Sequence, residues 1–458
     1  MKTMKKNKTN EEKQAASDRI TLKTVALKEI LKALSPFCGE EDSVYGGVQI
    51  EAAQGALSFY VTNGSATAKA VLFSRNAIPP ADVIRVNFSR LSGFVGVEDS
   101  EKDDFANADA EIALEFGAGT LTLLGVGESA RRRLKLPGNP APLLDSSLFD
   151  DAGGDGPETT LAFESVESFS EALSAASVSA SRKDERASLK GVCLRKSDPG
   201  APLTLYSSDG MRACSFELAY DALASAFPQA GSGGGDTQRL VDATLPLESV
   251  SALLKSLRHA DFRKRLHVSL ESAKNPDSPA QQTFDLSFGL SRGGIMRVRF
   301  PASQAAFPRV EDLFAKFTHP ATSATCVSAD LLRGIVNQAR KSLCLKAPDL
   351  RLVFSEGDDG EAQELTIADY SGQYSATLPA RALLSTPIPE AEREVVLAGD
   401  LFAECVAASE ASRGGASAPV CLCFNERSPQ TLLLTRPRDE KRPFDSAVKH
   451  LIMEKRKS

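Results

Sequence analysis

The 458-residue chain has no tryptophan, only four histidines, and aromatic residues at 6%. The histidines (His259, His267, His319, His450) are scattered, with no cysteines or carboxylates at ligand spacing beside them, which excludes a histidine-built metal centre. There is no G-x-S-x-G elbow, and the run "GSGGG" lacks the lysine of a phosphate-cradling loop. No catalytic constellation remains, so the chain reads as a non-enzyme without metal or cofactor. No uninterrupted apolar run is long enough to span a membrane. The opening stretch "MKTMKKNKTNEEKQAASDR" lacks an apolar core and does not read as a signal peptide.

Eight cysteines are present. Most sit in apolar runs without metal spacing, and the C-x-C of "VCLCF" (Cys421, Cys423) has no second pair. They read as reduced core thiols of a cytosolic protein, not as a disulfide framework. Hydrophobic residues at 42% and charged residues at 25% suit a soluble chain with real cores, and the length suits about three domains. The formal net charge is −6. Residues 1–19 hold six basic against three acidic residues, and residues 438–458 hold seven against four. Two basic tails therefore flank an acidic body, which excludes a uniformly basic nucleic-acid coat but not a locally basic face.

What is present is a repeat. "LSFYVTNGSATAKAVL" (57–72), "LTLYSSDGMRACSFEL" (203–218) and "LTIADYSGQYSATLPA" (365–380) each read as a strand, a turn and a second strand. The turns fall at Asn63-Gly64, Asp209-Gly210 and Ser371-Gly372, residue types that tolerate the backbone of tight hairpins. A strand and an amphipathic helix precede each hairpin. The apolar stripes are Leu27, Ile30, Leu31, Leu34; then Val166, Phe169, Leu173, Ala176; then Leu331, Leu332, Ile335, Val336, Ala339. A second half follows each hairpin, with helices carrying Phe88, Leu91, Phe94, then Val250, Leu253, Leu254, Leu257, then Leu401, Phe402, Cys405, Val406. The glycines Gly64, Gly210 and Gly372 lie 146 and 162 residues apart, a period that fits duplicated domains and not a solenoid.

This pattern assigns an α+β chain with a basic tail at 1–19, domains at 20–137, 160–304 and 323–437, linkers at 138–159 and 305–322, and a basic extension at 438–458. "PQAGSGGGDT" (228–237) and "ASRGGASAP" (411–419) read as loop insertions. In the extension, Phe444, Val448, Leu451 and Ile452 recur at helical spacing, which suits a short helix or a frayed tail.

Three domains, each a doubled strand–helix unit, resemble the β subunit of bacterial DNA polymerase III, the replicative sliding clamp. The resemblance spans about residues 20–437. It rests on the order of the six helices, on "FPRVEDLF", which stands where the family has a linker beginning Phe-Pro, and on "SSDGMRA", which stands where the family has a Thr-Asp-Gly-His-Arg-Leu run. It implies a clamp fold, with sheets outside and helices lining a hole. It further implies a head-to-tail homodimeric ring around duplex DNA, held without sequence preference. The implied partners are a replicative polymerase and a clamp-loader ATPase, the implied location is the cytoplasm at the nucleoid, and no membrane is involved.

Carried over position by position, the resemblance implies a partner-peptide pocket of Leu189, Ser208, Gly210, Met211, Arg212, Ala213, Pro308, Leu313, Leu434 and Arg436. The chain departs from the family pattern at Met211, Ala213 and Asp312, which stand for a His, a Leu and a basic residue, and the terminal match "TRPRD" is anchored only by Pro437. On the local sequence alone, Met211 and Arg212 read as flanks of a surface turn. The DNA-facing set comprises Lys28, Lys32, Arg182, Lys183, Arg186, Lys255, Arg258 and Arg340, with Lys23, Arg263, Lys264, Arg333 and Lys341 as further candidates. The loop "GEEDSVYGG" (39–47) is acidic where the family carries a basic residue. The dimer edge falls on Arg131, Arg132, Arg133 and Leu134 of "ESARRRLKLP", facing a stretch near 370–380 that is not acidic. Those departures leave a second reading beside the clamp, a clamp-fold interaction scaffold that does not encircle DNA.

Overall fold

Alternation of apolar and polar residues drives about half of the described residues into strands, because a strand turns successive side chains to opposite faces. The computed structural model describes residues 19–53, 55–73, 81–96, 110–117, 119–126, 132–139, 144–145, 149, 159–196, 201–218, 241–272, 282–318, 322–344, 348–356, 363–382, 393–410, 419–425, 431–436, 446 and 448–454. The chain forms two compact units, Met1–Glu167 with Asp221–Ser232 and Ser251–Ala302, and Ser168–Tyr220 with Gly233–Val250 and Ser303–Ser458.

The first unit holds two antiparallel sheets. One runs β1 (Arg19–Lys23), β6 (Glu111–Gly117), β7 (Thr120–Val126), β8 (Arg132–Pro137). The other runs β5 (Ala81–Asn87), β2 (Gly47–Ala53), β3 (Ala56–Thr62), β4 (Thr67–Phe73), β16 (Ile295–Pro301), β15 (Gln282–Gly289), β14 (Leu266–Ser272), β9 (Thr159–Phe163). Helix α1 (Thr24–Leu34) buries Leu27, Ile30, Leu31 and Leu34 as its stripe requires. Helix α2 (Phe88–Val95) starts at Asn87, whose side chain accepts from Arg90 N, and ends at Gly96 in a left-handed conformation. Glu29 on α1 accepts from Ser291 Oγ and from Arg292 N at 2.7 Å, which ties the helix to the turn between β15 and β16. Burial raises its pKa.

The second unit is built on one twelve-stranded sheet. Its order is β13 (Val241–Pro246), β10 (Gly191–Lys196), β11 (Leu203–Ser208), β12 (Arg212–Leu218), β24 (Val448–Met453), β23 (Thr431–Thr435), β22 (Pro419–Asn425), β17 (Thr322–Ser328), β20 (Ser375–Ala382), β19 (Gln363–Asp369), β18 (Asp349–Glu356), β21 (Arg393–Ala398). The strands of the middle repeat are divided between the two units. Its helices α3 (Val166–Ser177) and α4 (Leu247–Leu257) bury Val166, Phe169, Leu173, Ala176, Val250, Leu253 and Leu257. The linker carries a short helix α5 (Glu311–Ala315). Helices α6 (Ala329–Ser342) and α7 (Gly399–Glu410) pack on each other over one apolar cluster containing Leu332, Val336, Phe402, Cys405 and Val406. Leu331 departs from its expected stripe. It is 50% exposed, because the buried face of α6 is set by Leu332, Val336 and Ala339.

All three hairpins form, and Gly64, Gly210 and Gly372 adopt positive φ of 89°, 87° and 75°. In the first two, the residue before glycine caps the turn: Asn63 Oδ1 accepts from Ala66 N, and Asp209 Oδ1 accepts from Arg212 N. The third turn is two residues wider. Asp369, not Ser371, plays that part, accepting from Tyr374 N at 2.6 Å.

Two expectations change. The extension forms a strand, not a helix or a frayed tail. The edges of β12 and β23 give the backbone of 448–453 ladder partners on both sides, so pairing overrides a weak local helical spacing. Phe444 lies outside the described residues. Secondly, Cys326 and Cys421 form a disulfide, being directly opposite on β17 and β22 with Cα atoms 4.2 Å apart. The other six cysteines are free thiols.

Candidate partner site and basic surfaces

The β11–β12 hairpin presents its expected residues in two layers. Gly210 and Met211 are exposed at the turn, whereas Ser208, Arg212 and Ala213 are buried. Asp209 organises the turn by accepting from Met211 N, Arg212 N and Arg212 Nε. Arg212 reaches on to Glu404 of α7 at 2.7 Å. Burial opposes the Arg212 charge, but Cys405, Glu404 and Asp209 outweigh it and its pKa is raised. Arg212 is therefore an internal tie between β12 and α7, not a surface flank.

The linker is held by a second buried guanidinium. Arg195 on β10 donates to Glu311 of α5 at 2.7 Å, to Asp242 at 3.1 Å and to the Phe307 carbonyl at 3.1 Å, with its guanidinium over the Phe307 ring. Phe307, Val310 and Phe317 are buried, and Asn425 Nδ2 donates to the Lys316 carbonyl at 2.6 Å. These contacts leave Pro308 and Leu313 exposed, with Leu313 at 39%. Arg195→Met is expected to lower stability by about 3 kcal/mol, because it strands the partly buried Glu311 and the Phe307 carbonyl. Urea unfolding checks this: the midpoint falls with an unchanged slope, and Glu311→Gln costs less. A midpoint equal to the parent's would mean that Arg195 does not hold the linker.

The expected pocket residues do not all share one face of the sheet. β24 lies between β12 and β23, so Ala213 and Leu434 are separated by a whole strand. Across the three strands, Ala213, Leu451 and Leu433 are in register, as are Cys214, His450 and Leu434. Alternation then decides the faces. Leu451, Ala213 and Leu433 share an apolar cluster with Phe317, against which Phe314 packs. Leu434 belongs instead to the cluster under α6 and α7. Leu433 is thus the β23 residue on the Ala213 face, one position from the residue expected. Arg436 is held by Ser446, whose Oγ accepts from Arg436 N at 3.0 Å, and it donates to the Ser409 carbonyl. Leu189 is buried at 4% exposure, just before β10.

Sequence reasoning missed β24 and His450. The ring of His450 is fully buried with no hydrogen bond at Nδ1 or Nε2. Burial, with Arg212 nearby, brings its pKa down to about 3. The β-branched Val448 and Ile452 were the only local strand signal.

The basic residues separate into kinds. Lys255, Arg258, Arg182 and Lys183 are exposed, and Lys32 and Arg340 are half-buried. Lys28 is corrected: it is buried at 6% exposure within α1. Arg186 is exposed. It pairs with Asp184 at 2.6 Å, and its guanidinium lies beside Gly210 at the hairpin turn. At the expected dimer edge, Arg131 lies outside the described residues. Arg132 and Arg133 are exposed and Leu134 half-buried on β8, which ends its sheet among the described strands. The facing stretch near 370–380 contains β20, whose outer edge bonds to β17 only at Arg381 and Ala382.

With this geometry in place, comparison with known proteins gives a clear fold and no sequence relative. No protein-family model matches the chain, and no curated protein matches it. Among solved structures it is similar to the DNA polymerase III β subunit of Pseudomonas aeruginosa, with a TM-score of 0.67 at 15% identity over 96% of this chain and 100% of that one. It is similar to the Helicobacter pylori β clamp bound to a DNA ligase peptide, with a TM-score of 0.66 at 12% identity over 96% and 100%. It is also similar to the C. crescentus β sliding clamp, with a TM-score of 0.65 at 15% identity over 96% and 98%. The chain has the sliding-clamp fold.

Proposed function

We propose that this protein is a DNA sliding clamp, a non-catalytic ring component that encircles duplex DNA and tethers a replicative polymerase and other proteins to it. The carrying observation is the clamp fold over 96% of the chain and the full length of its P. aeruginosa neighbour. A ring holds DNA by topology, so mild, sequence-independent phosphate contacts suffice and an acidic body is tolerated. The three-domain division at 20–137, 160–304 and 323–437 belongs to this reading. So does the basic surface of Lys32, Arg182, Lys183, Lys255, Arg258 and Arg340. No described helix is long and apolar enough to cross a membrane. A clamp-loader ATPase opens such a ring, and the working place is the cytoplasm at the nucleoid.

Internal repetition supports a head-to-tail dimer. In the first unit, β4, the strand after its hairpin, pairs with β16, the last strand of the next repeat. The same rule applied to the third repeat pairs β20 with β8 of a second copy. The scaffold reading is favoured by the charges on that seam. β8 carries Arg132, Arg133 and Lys135, β20 carries Arg381, and neither has a carboxylate. Light scattering after size exclusion distinguishes the two, with a clamp expected at twice the 48.8 kDa chain mass. A loaded clamp stays on nicked circular DNA and slides off once the circle is cut. A stable monomer, or equal loss from circles and linear DNA, would favour the scaffold.

A further inference from the structure

The loop that leaves α4 is strongly basic in an acidic chain. Residues 255–267, "KSLRHADFRKRLH", hold five Lys/Arg against one Asp, where the whole chain carries −6. Lys255, Arg258, Arg263, Lys264 and Arg265 are all exposed. Among them stands Phe262, 44% exposed. The loop is firmly held. Ala260 and Leu266 are buried on either side of it. Asp261 N donates to the Gly289 carbonyl and Lys264 N to the Asp261 carbonyl, both at 2.9 Å, which closes a β-turn with Phe262 and Arg263 at its two central positions. Asp261 Oδ1 accepts from Arg263 N at 3.2 Å. Val166 N donates to the Lys264 carbonyl at 3.1 Å, and Ser291 N to the His259 carbonyl at 3.2 Å. The bonds that set this turn come from the backbone and from Asp261, so none of them needs an aromatic residue at 262. The turn holds a ring and a guanidinium as neighbours at the surface. Lys264 Nζ follows, 3.6 Å from Asp261 Oδ2 in an exposed pair for which a phosphate competes.

We propose that the Asp261–Lys264 turn binds an unpaired DNA strand: a base stacks on Phe262, and Arg263 and Lys264 hold the neighbouring phosphates. Cations alone suit any phosphate backbone. In a duplex the base faces are covered by their neighbours, and an open ring finds none to meet. Unpaired bases offer those faces, and stacking beside phosphate-binding cations holds a single strand without sequence preference. An anionic lipid surface also attracts basic loops, but one ring gives it little apolar area to bury. The inference rests on reading this chain as a DNA-binding protein, and it adds to the duplex-facing surface a site for a different form of DNA.

The chain has no tryptophan, so Phe262→Trp places a single reporter at the turn of the full-length protein. The probe is an oligothymidylate of about 20 nucleotides, longer than one such site, set against a duplex of equal length. The single strand is expected to quench the Phe262→Trp emission, because a stacked base quenches an indole, and the duplex is not. Phe262→Ala is expected to bind the single strand about tenfold more weakly than the parent, the size of one lost stack, with duplex affinity unchanged. Arg263→Ser should weaken single-strand binding and flatten its salt dependence. Equal single-strand affinity in the parent and Phe262→Ala would overturn the site, as would an emission that the oligonucleotide leaves unchanged. A blue shift with phosphatidylserine vesicles and no quenching by the oligonucleotide would assign the loop to lipid and overturn it too. Quenching in a chain that is monomeric and leaves circular and linear DNA alike would keep this inference and lose the clamp. A dimer that stays on circles without quenching would keep the clamp and lose this inference.

Discussion

Breaking the Cys326–Cys421 disulfide is expected to lower the unfolding free energy by about 4 kcal/mol. The bond joins residues 95 apart in sequence, and loop-closure entropy for a loop of that size is roughly 4.7 kcal/mol, reduced where the unfolded chain keeps structure. The native site adds little of its own. Both sulfurs lie in an apolar cluster with Ala213, Phe317, Ala324, Cys423 and Leu433. Reduction of the parent should lower the midpoint in denaturant, and the double change Cys326→Ala, Cys421→Ala should lower it at least as far, because it also removes two buried sulfurs. Cys423 lies two residues away on the same strand face and is a candidate for exchange. Burial pushes its thiol up to about 12, so it carries almost no thiolate to attack the bond. Alkylation of the unfolded, unreduced chain should modify six of the eight cysteines. Eight modified thiols would remove the bond from the account, and the stability loss with it.

That disulfide also marks where the sequence stops being legible. The helix stripes at Leu27–Leu34 and Val166–Ala176 and the three glycine turns read directly, because each is a local pattern with a local cause. The hairpin at 203–218 read correctly as a turn, but the role of Arg212 did not. Its partner Glu404 lies 192 residues on, and no local pattern announces such a pairing. The Leu433–Leu434 face has the same difficulty: a strand shifted by one residue exchanges its two faces, and register is fixed by a neighbour, here β24. The extension is the strongest case. Its apolar spacing favours a helix by count, and only the two unpaired edges of distant strands make it a strand. Lys28, placed among the DNA-facing residues by the resemblance, is buried within α1, because burial is decided by what packs over a helix and not by the residue type alone.

Acid should act on this protein through His450, and the expected size is about 2 kcal/mol of stability lost between pH 7.5 and pH 5. The histidine is buried neutral, and burial with Arg212 brings its pKa from 6.5 down to about 3. Between those two values the unfolded chain binds a proton that the folded chain does not. Stability is then full above pH 6.5 and falls as the pH drops, by up to ~1.4 kcal/mol per unit. Two of the groups around the ring lie opposite on β12. Arg212 keeps its charge, and Cys214 is held neutral by burial. From α7 come Cys405, pushed up to about 12, and Glu404, which is paired to Arg212 and more than half exposed. β23 offers Leu434, with Arg436 beyond its end. The carboxylates of the whole chain add their own slope, so the quantity to read is the difference from His450→Leu. That variant should be about 1 kcal/mol more stable at pH 7.5, because two unbonded nitrogens leave the interior, and about 3 kcal/mol more stable at pH 5. Equal slopes in the two proteins would mean that His450 is not buried neutral in solution. Because the ring sits on β24, the proton it takes up is released again when that strand re-enters the sheet. The protection of the 448–453 amides, corrected for the slower intrinsic exchange in acid, should therefore fall with pH ahead of that of β22.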